Sequence, residues 1–188
     1  MDVFEAIRER RMLPRVGPDA PSRVEIAQLL DLAVRAPNHH RTEPWRFRIL
    51  TGADRERLAR VIEADAVDSG AEPARAREDA RAKVERAPVI VVFTAVPSDD
   101  PKVIEQEEIV SVAMAMQNFL LGAYAMGLGA MLRTGSAAYH PSVNEHLGLE
   151  PDERVVGFVY LGYPAGARDK TERLASGEKT RWSGFEES

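Results

Sequence analysis

The chain has 188 residues and no cysteine, which rules out disulfides, thiolate catalysis and iron–sulfur ligation. Its four histidines, His39, His40, His140 and His146, show no ligand spacing of the H-E-x-x-H kind, so no metal centre is expected. Lysine is scarce: of 25 basic residues, 4 are lysine and 21 are arginine. Arginine is therefore the ordinary surface cation here. Only arginines at element ends, beside proline, glycine or histidine, stand above that background. The formal net charge of −5 argues against a nucleic-acid-binding surface. The most apolar stretch, 111–126, is interrupted by Gln117 and Asn118 and flanked by Glu105, Glu107 and Glu108, so no membrane span is expected. The first residues, Met1-Asp2-Val3-Phe4-Glu5, lack the basic start and apolar core of a secretion signal, which points to the cytoplasm. No P-loop or G-x-S-x-G sequence occurs. Gly127-Leu128-Gly129 follows a helical pattern and lacks a third glycine, so it reads as a helix end and not as a dinucleotide fingerprint.

What is present is a regular alternation of periodic segments. A short amphipathic helix is expected near 2–11, followed by an irregular stretch around Pro14, Gly17, Pro18 and Pro21. Ser22-Arg23-Val24-Glu25 has the form of a capping box. The helix it starts carries Ile26, Leu29, Leu30, Ala33 and Val34 on one face and ends before Pro37. A strand is expected over 45–51 and a charged helix over 53–68. Segment 73–86 has helical density but few large apolar groups, which fits either an exposed helix or a mobile lid. Residues 88–94 form a β-branched run typical of a strand buried on both faces. A long helix follows over 102–126, then a strand over 128–133, a short helix over 140–147 and a buried strand over 155–161. Two helices precede the first strand, and helices and strands are interleaved without βαβ regularity. The fold class is therefore α+β, with a mixed or antiparallel central sheet flanked by helices. No linker or repeat divides 1–188, so one domain is expected, with a polar tail over about 165–188. The apolar surface of the long helix around Met114, Phe119 and Tyr124 suggests a subunit interface.

Four segments carry the chemistry. Arg8-Glu9-Arg10-Arg11 ends the first helix and Arg35-Ala36-Pro37-Asn38-His39-His40 ends the second. Glu43-Pro44-Trp45-Arg46-Phe47 opens a strand, and Leu132-Arg133-Thr134-Gly135 closes one. Arginines arriving from separate chain ends suit a bound polyanion, of which phosphate is the commonest small example. Arg10 and Arg11 fit equally well as a basic helix terminus complementing the helix dipole. Trp45 reads as core packing.

Together these segments resemble the nitroreductase family, with FMN as cofactor, and most closely its short, single-domain bacterial branch. The resemblance runs from residue 1 to about 164, ending in Gly157-Phe158-Val159-Tyr160-Leu161-Gly162. It implies a dimer with FMN at the subunit interface and a long central interface helix. It implies that NADH or NADPH reduces the flavin by hydride transfer to N5. No side chain is needed as acid or base in that first half, and a small acceptor, nitroaromatic, quinone or related, then reoxidises the flavin in ping-pong fashion. The implied cofactor residues are Arg10 (ribityl chain or ring edge, and charge stabilisation), Arg11 (phosphate), Met12, Leu132, Arg133 (phosphate) and Thr134. Arg35 and His39 would come from the other subunit. Two positions depart from the family pattern: Met12 where serine is common, and Glu43 where glutamine is common. These departures keep two alternatives open: a flavin- or nucleotide-binding protein without turnover, and an FMN enzyme that oxidises a different metabolite.

Overall fold

Val89–Ala95 is the most hydrophobic seven-residue stretch of sheet and forms one of its two interior strands, with every residue buried. The computed structural model describes residues 1–166 and 172–184. Its elements in chain order are α1 (Val3–Glu9), α2 (Arg23–Ala33), β1 (Trp45–Thr51), α3 (Gly52–Asp68), α4 (Pro73–Val84), β2 (Val89–Ala95), α5 (Glu105–Ala125), β3 (Gly129–Arg133), α6 (Pro141–His146) and β4 (Arg154–Gly162). Single 3-10 turns occur at His39–Arg41, Ser136–Tyr139 and Ser176–Lys179.

The strands pair in the order β1-β2-β4-β3, antiparallel at every junction. Side chains along a strand alternate between faces, and β2 serves both. Val89, Val91 and Phe93 join Leu29 of α2 and Val112, Phe119 and Leu120 of α5 in one apolar cluster. Ile90 and Val92 join Leu58 and Ile62 of α3 and Ala80 and Val84 of α4 in the other. The sheet is thus sandwiched, with α2 and α5 on its first face and α3 and α4 on its second. Phe93 meets Phe47 and Phe119 edge-on, with ring centroids 5.1 and 5.4 Å apart.

Local signals set the element ends. Ser22 and Glu25 form the capping box in both directions. α5 ends in a Schellman arrangement: Gly127, at φ 78°, donates to the Tyr124 carbonyl, and Leu128 donates to that of Ala123. Within segment 73–86, Pro73–Val84 forms the helix α4. α4 buries Ala76, Ala80 and Val84, small side chains that let it lie close to α3. Arg55 of α3 clamps its end by donating to the carbonyls of Val84 and Ala87 at 2.9 and 2.6 Å. Among the described residues no helix is long and apolar enough to cross a membrane. Part of the tail expected over 165–188, namely 167–171 and 185–188, lies outside the described residues.

The expected apolar face is redistributed. Phe119 is fully buried in the chain's own core, and Met114 and Tyr124 are partly buried. Exposed apolar side chains are spread over the chain: on α1, Val3, Phe4 and Ile7 are each more than half exposed and Ala6 alone is buried, and Val24, Ile104, Tyr139, Leu174 and Trp182 are at least as exposed as Ile7. Leu32 of α2 and Val110 of α5 are also exposed.

Candidate active site

Arg10 caps the C-terminal end of α1, and its backbone N–H bonds to the Ala6 carbonyl. The next residues run along the free edge of β3: Leu13 donates to the Ala130 carbonyl at 2.9 Å, and Leu132 donates to the Met12 sulfur at 3.4 Å. Gly129 makes this approach feasible. A Cβ there would sit 2.7 Å from Leu13 Cδ1 and 2.8 Å from Val16 Cγ1. Two of the segments singled out above, 10–12 and 132–134, therefore meet although about 120 residues separate them in sequence.

Among the described residues, no ion pair is made by Arg10 or Arg11. Arg10 and Arg11 line a small cleft with Leu120, Tyr124, Leu128 and Ala130. Arg11 Nη1 donates to the carbonyls of Arg8 and Arg10. Its Nε, and Nε and Nη1 of Arg10, are buried without a partner. Burial, together with the positive charges of Arg11 and Arg173, pulls the Arg10 guanidinium below its usual range. Buried cationic donors without acceptors cost free energy. An oxyanion bound in the cleft would relieve that cost, and the donor set suits the phosphate of FMN. Arg173 was missed from sequence. It lies in a polar tail with no motif, and only the fold brings it beside Arg10.

Arg133 behaves differently. Leu132 packs on the first face, so by strand alternation Arg133 turns to the second. Its guanidinium lies 5.8 Å from the Tyr160 ring centroid and lines a cavity with Lys83 and Arg86. Its side chain does not join Arg10 and Arg11, although its main chain lies beside theirs. Thr134 is exposed at the end of β3. It is followed by Gly135 at φ 112°, a backbone conformation that a side chain would strain.

Arg35 and His39 are both exposed. His39 sits in a tightly held loop in which His40, Arg41 and Glu43 all have φ between 49° and 60°. Asn38 holds this loop. Its Oδ1 accepts from the Glu43 N–H at 2.7 Å, and its Nδ2 donates to Thr42 and to Ser111 of α5. Arg46 donates to the main-chain carbonyl of Glu43 at 3.1 Å. Trp45 is buried in the core. His39 Nδ1 lies 2.9 Å from Glu107 Oε2, in the first turn of α5. The Arg10 cleft involves Leu120 and Tyr124, in the last turns of the same helix. Seventeen residues from Glu107 to Tyr124 correspond to roughly 25 Å of helix axis. Within one chain, His39 and Arg10 are therefore at opposite ends. The sequence offered no signal for Asn38 or Glu107 as supports of this loop. Among the described residues no group of three acidic or histidine side chains could hold a metal ion.

The chain matches the family model "Nitroreductase family" over residues 7–163. It is 33% identical over 164 residues to the Escherichia coli protein named "Putative NAD(P)H nitroreductase YdjA", covering 87% of this chain and 89% of that protein. The crystal structure of a nitroreductase-like family protein from Bacillus cereus superposes with a TM-score of 0.86 at 28% identity, covering 98% of this chain and 97% of that one. The fold is also shared with the FMN-dependent nitroreductase NfnB from Mycobacterium smegmatis, solved with NADPH, at a TM-score of 0.78 and 18% identity, covering 96% and 97% of the two chains. The fold and the family match agree, and the chain belongs to the nitroreductase family.

Proposed function

We propose that this protein is an FMN-dependent oxidoreductase that takes electrons from NADH or NADPH and passes them to a small organic acceptor, such as a nitroaromatic or a quinone. The observation that carries this reading is the set of buried, unpartnered guanidinium nitrogens of Arg10 and Arg11 at the edge of β3. Family membership and the printed names of its relatives support it. The chemistry supplied by bound flavin is two-electron transfer, with nicotinamide and acceptor using one pocket in turn. The chain's residues hold and tune the cofactor. Arg11 and Arg173 neutralise the phosphate. Arg10 lies toward the ribityl chain and ring edge, where its charge stabilises the negative charge gained on reduction. Met12, which stands where a hydroxyl is common, leaves that contact to main-chain N–H groups. Leu132 and Arg133 contribute through their main chain and Thr134 through its hydroxyl.

A second copy completes the site. The roughly 25 Å of helix axis between Glu107, which holds His39, and Tyr124 of the Arg10 cleft, and the apolar face of α1, support a two-fold dimer in which Arg35 and His39 of one chain reach the cleft of the other. The test has two parts. Purified protein should carry about one FMN per chain after desalting, bleached by NADH or NADPH without air. A double variant, Phe4→Glu with Ile7→Glu, should elute as a monomer and lose flavin. Protein that stays colourless after reconstitution with FMN overturns the cofactor assignment. A monomer that retains FMN overturns the shared site.

A further inference from the structure

The second face of the sheet holds a cavity whose cationic side chains the flavin site does not use, although Thr134, assigned above to the cofactor, also lines it. It is about 230 Å³ in volume and lies between α3, the end of α4, the end of β3 and β4. Leu58, Ile62 and Phe158 provide its apolar floor, and all three are buried. Lys83, Arg86 and Arg133 provide its rim, and no carboxylate is among its lining residues. Three cations gathered around an apolar floor repel one another, and a folded chain ordinarily intersperses such charges with acids. Elsewhere this chain does so: Arg77 pairs with Glu63 and Arg81 with Glu85, within two turns of Lys83. Among the described residues no carboxylate pairs with the cations of the cavity. Arg133 Nε is buried without a partner. Burial and the neighbouring charge of Arg86 hold its guanidinium below the usual range. Tyr160 lines the same wall. Burial pushes its phenol up against the opposing pull of Arg133 and Arg86, so it keeps its proton at neutral pH and can donate it.

We propose that this cavity is a second, flavin-independent anion site that takes a small phosphate monoester with an apolar or aromatic body, the phosphate held by Lys83, Arg86 and Arg133 and the body resting on Leu58, Ile62 and Phe158. Three cations without an acid match a divalent head better than a single carboxylate. The guanidinium forks of Arg86 and Arg133 suit phosphate oxygens, and the floor rewards an organic body over inorganic phosphate. The distinction from the flavin site is geometric. Arg10 and Arg11 lie at the first face with Leu120, Leu128 and Ala130, whereas this cavity opens among α3, α4 and the second face.

Isothermal titration of the FMN-saturated protein with phenyl phosphate, inorganic phosphate and phenol tests the proposal at low ionic strength. One saturable phenyl phosphate site per chain is expected, tighter than for inorganic phosphate. Arg86→Gln and Lys83→Gln should each weaken it roughly tenfold while FMN content stays unchanged. Lys83 is exposed, so Lys83→Gln remains informative if Arg86→Gln fails to fold. The same titration on flavin-free protein should give the same site, so failure of the cofactor assignment does not affect the result. No saturable binding of either phosphate overturns the proposal, and so does phenol binding as well as phenyl phosphate. Loss of FMN in Arg86→Gln would assign the cavity to the cofactor and overturn its independence.

Discussion

Arg48 and Arg10 are the same side chain in opposite circumstances. Arg48, on β1, donates from both terminal nitrogens to the Glu153 carboxylate, and also to Thr94 and to the Gly148 carbonyl. Thr94 and the Glu150 N–H bond to the same carboxylate. The circle ties β1, β2 and the turn before β4 together, and the charge of Glu153, which is almost fully buried, is met within it. Arg10 is half-buried with two nitrogens facing no acceptor among the described residues, and the charges of Arg11 and Arg173 act against its own. A cation matched inside the chain serves the fold. A cation buried and left unmatched is held for something outside the chain, at some expense to stability.

The largest effect should come from breaking the matched cation. Arg48→Ala leaves Glu153 buried without its partner. Removing one member of such a pair costs about 3 kcal/mol, the lower end of the usual range because Arg48 is a quarter exposed. For a chain of this length the melting temperature should fall by about 6–12 °C, while flavin content per folded chain stays near that of the parent. Calorimetry and the visible spectrum measure both. A variant that melts normally would show that the Arg48–Glu153 circle contributes little.

Arg10→Ala should do the reverse. The flavin-free protein should melt at or above the parent temperature, because a desolvated cation has been removed. FMN affinity should drop roughly 10- to 100-fold, the worth of charge-assisted hydrogen bonds. Equilibrium dialysis gives the second number. Undiminished affinity would remove Arg10 from the ribityl chain and ring edge and leave the cofactor to Arg11 and Arg173.

Acid separates the two arginines further. Burial alone would raise the Glu153 carboxyl, but hydrogen bonds from Arg48, Thr94 and the Glu150 N–H outweigh it and hold the group below its ordinary value of 4.5. A carboxyl depressed in the folded state adds stability above its unfolded value, and loses it as pH falls through the folded one. The parent should therefore lose stability as pH drops below about 4.5. In Arg48→Ala this acid limb should be shallower, and in Arg10→Ala it should be unchanged. Chemical denaturation between pH 3 and 7 reads the slopes.

How much of this was legible in the sequence follows from the same contrast. Periodicity and capping signals were local and read well: the Ser22–Glu25 box, the Gly127 helix end and the buried β2 run all appear where the pattern put them. The meeting of 10–12 with 132–134 was legible because arginines at element ends, beside Gly135 and the Arg35–His40 helix end, stood out from the surface background. Four features were not legible, each set by long-range geometry. Strand parity decided that Arg133 turns to the second face, and no motif carries that. Arg173 belongs to a polar tail that only the fold brings to Arg10. Glu153 and Arg48 look like two surface charges until a strand pairing buries one of them. Phe119 looked like interface because its helix is apolar nearly all round, yet β2 and α2 claim it first.

The smallest effect should come from the exposed counterpart of the Arg48–Glu153 pair. His39 and Glu107 also meet at 2.9 Å, but their side chains are 67% and 44% exposed. Water screens such a pair, and its worth to stability is about 0.2–1 kcal/mol. Glu107→Gln should therefore shift the melting temperature by no more than about 2–4 °C. Its effect should appear in the flavin instead. The carboxylate fixes which way the His39 ring points, and the amide holds it less firmly, so FMN affinity should fall by a few-fold at most. His39→Ala should match or exceed that loss, because it removes the group that Glu107 orients. If Glu107→Gln cost as much stability as Arg48→Ala, exposure would not be what separates the two pairs. If neither His39→Ala nor Glu107→Gln touched FMN affinity, the held loop at Asn38 would serve the fold of its own chain and not the cleft of its neighbour.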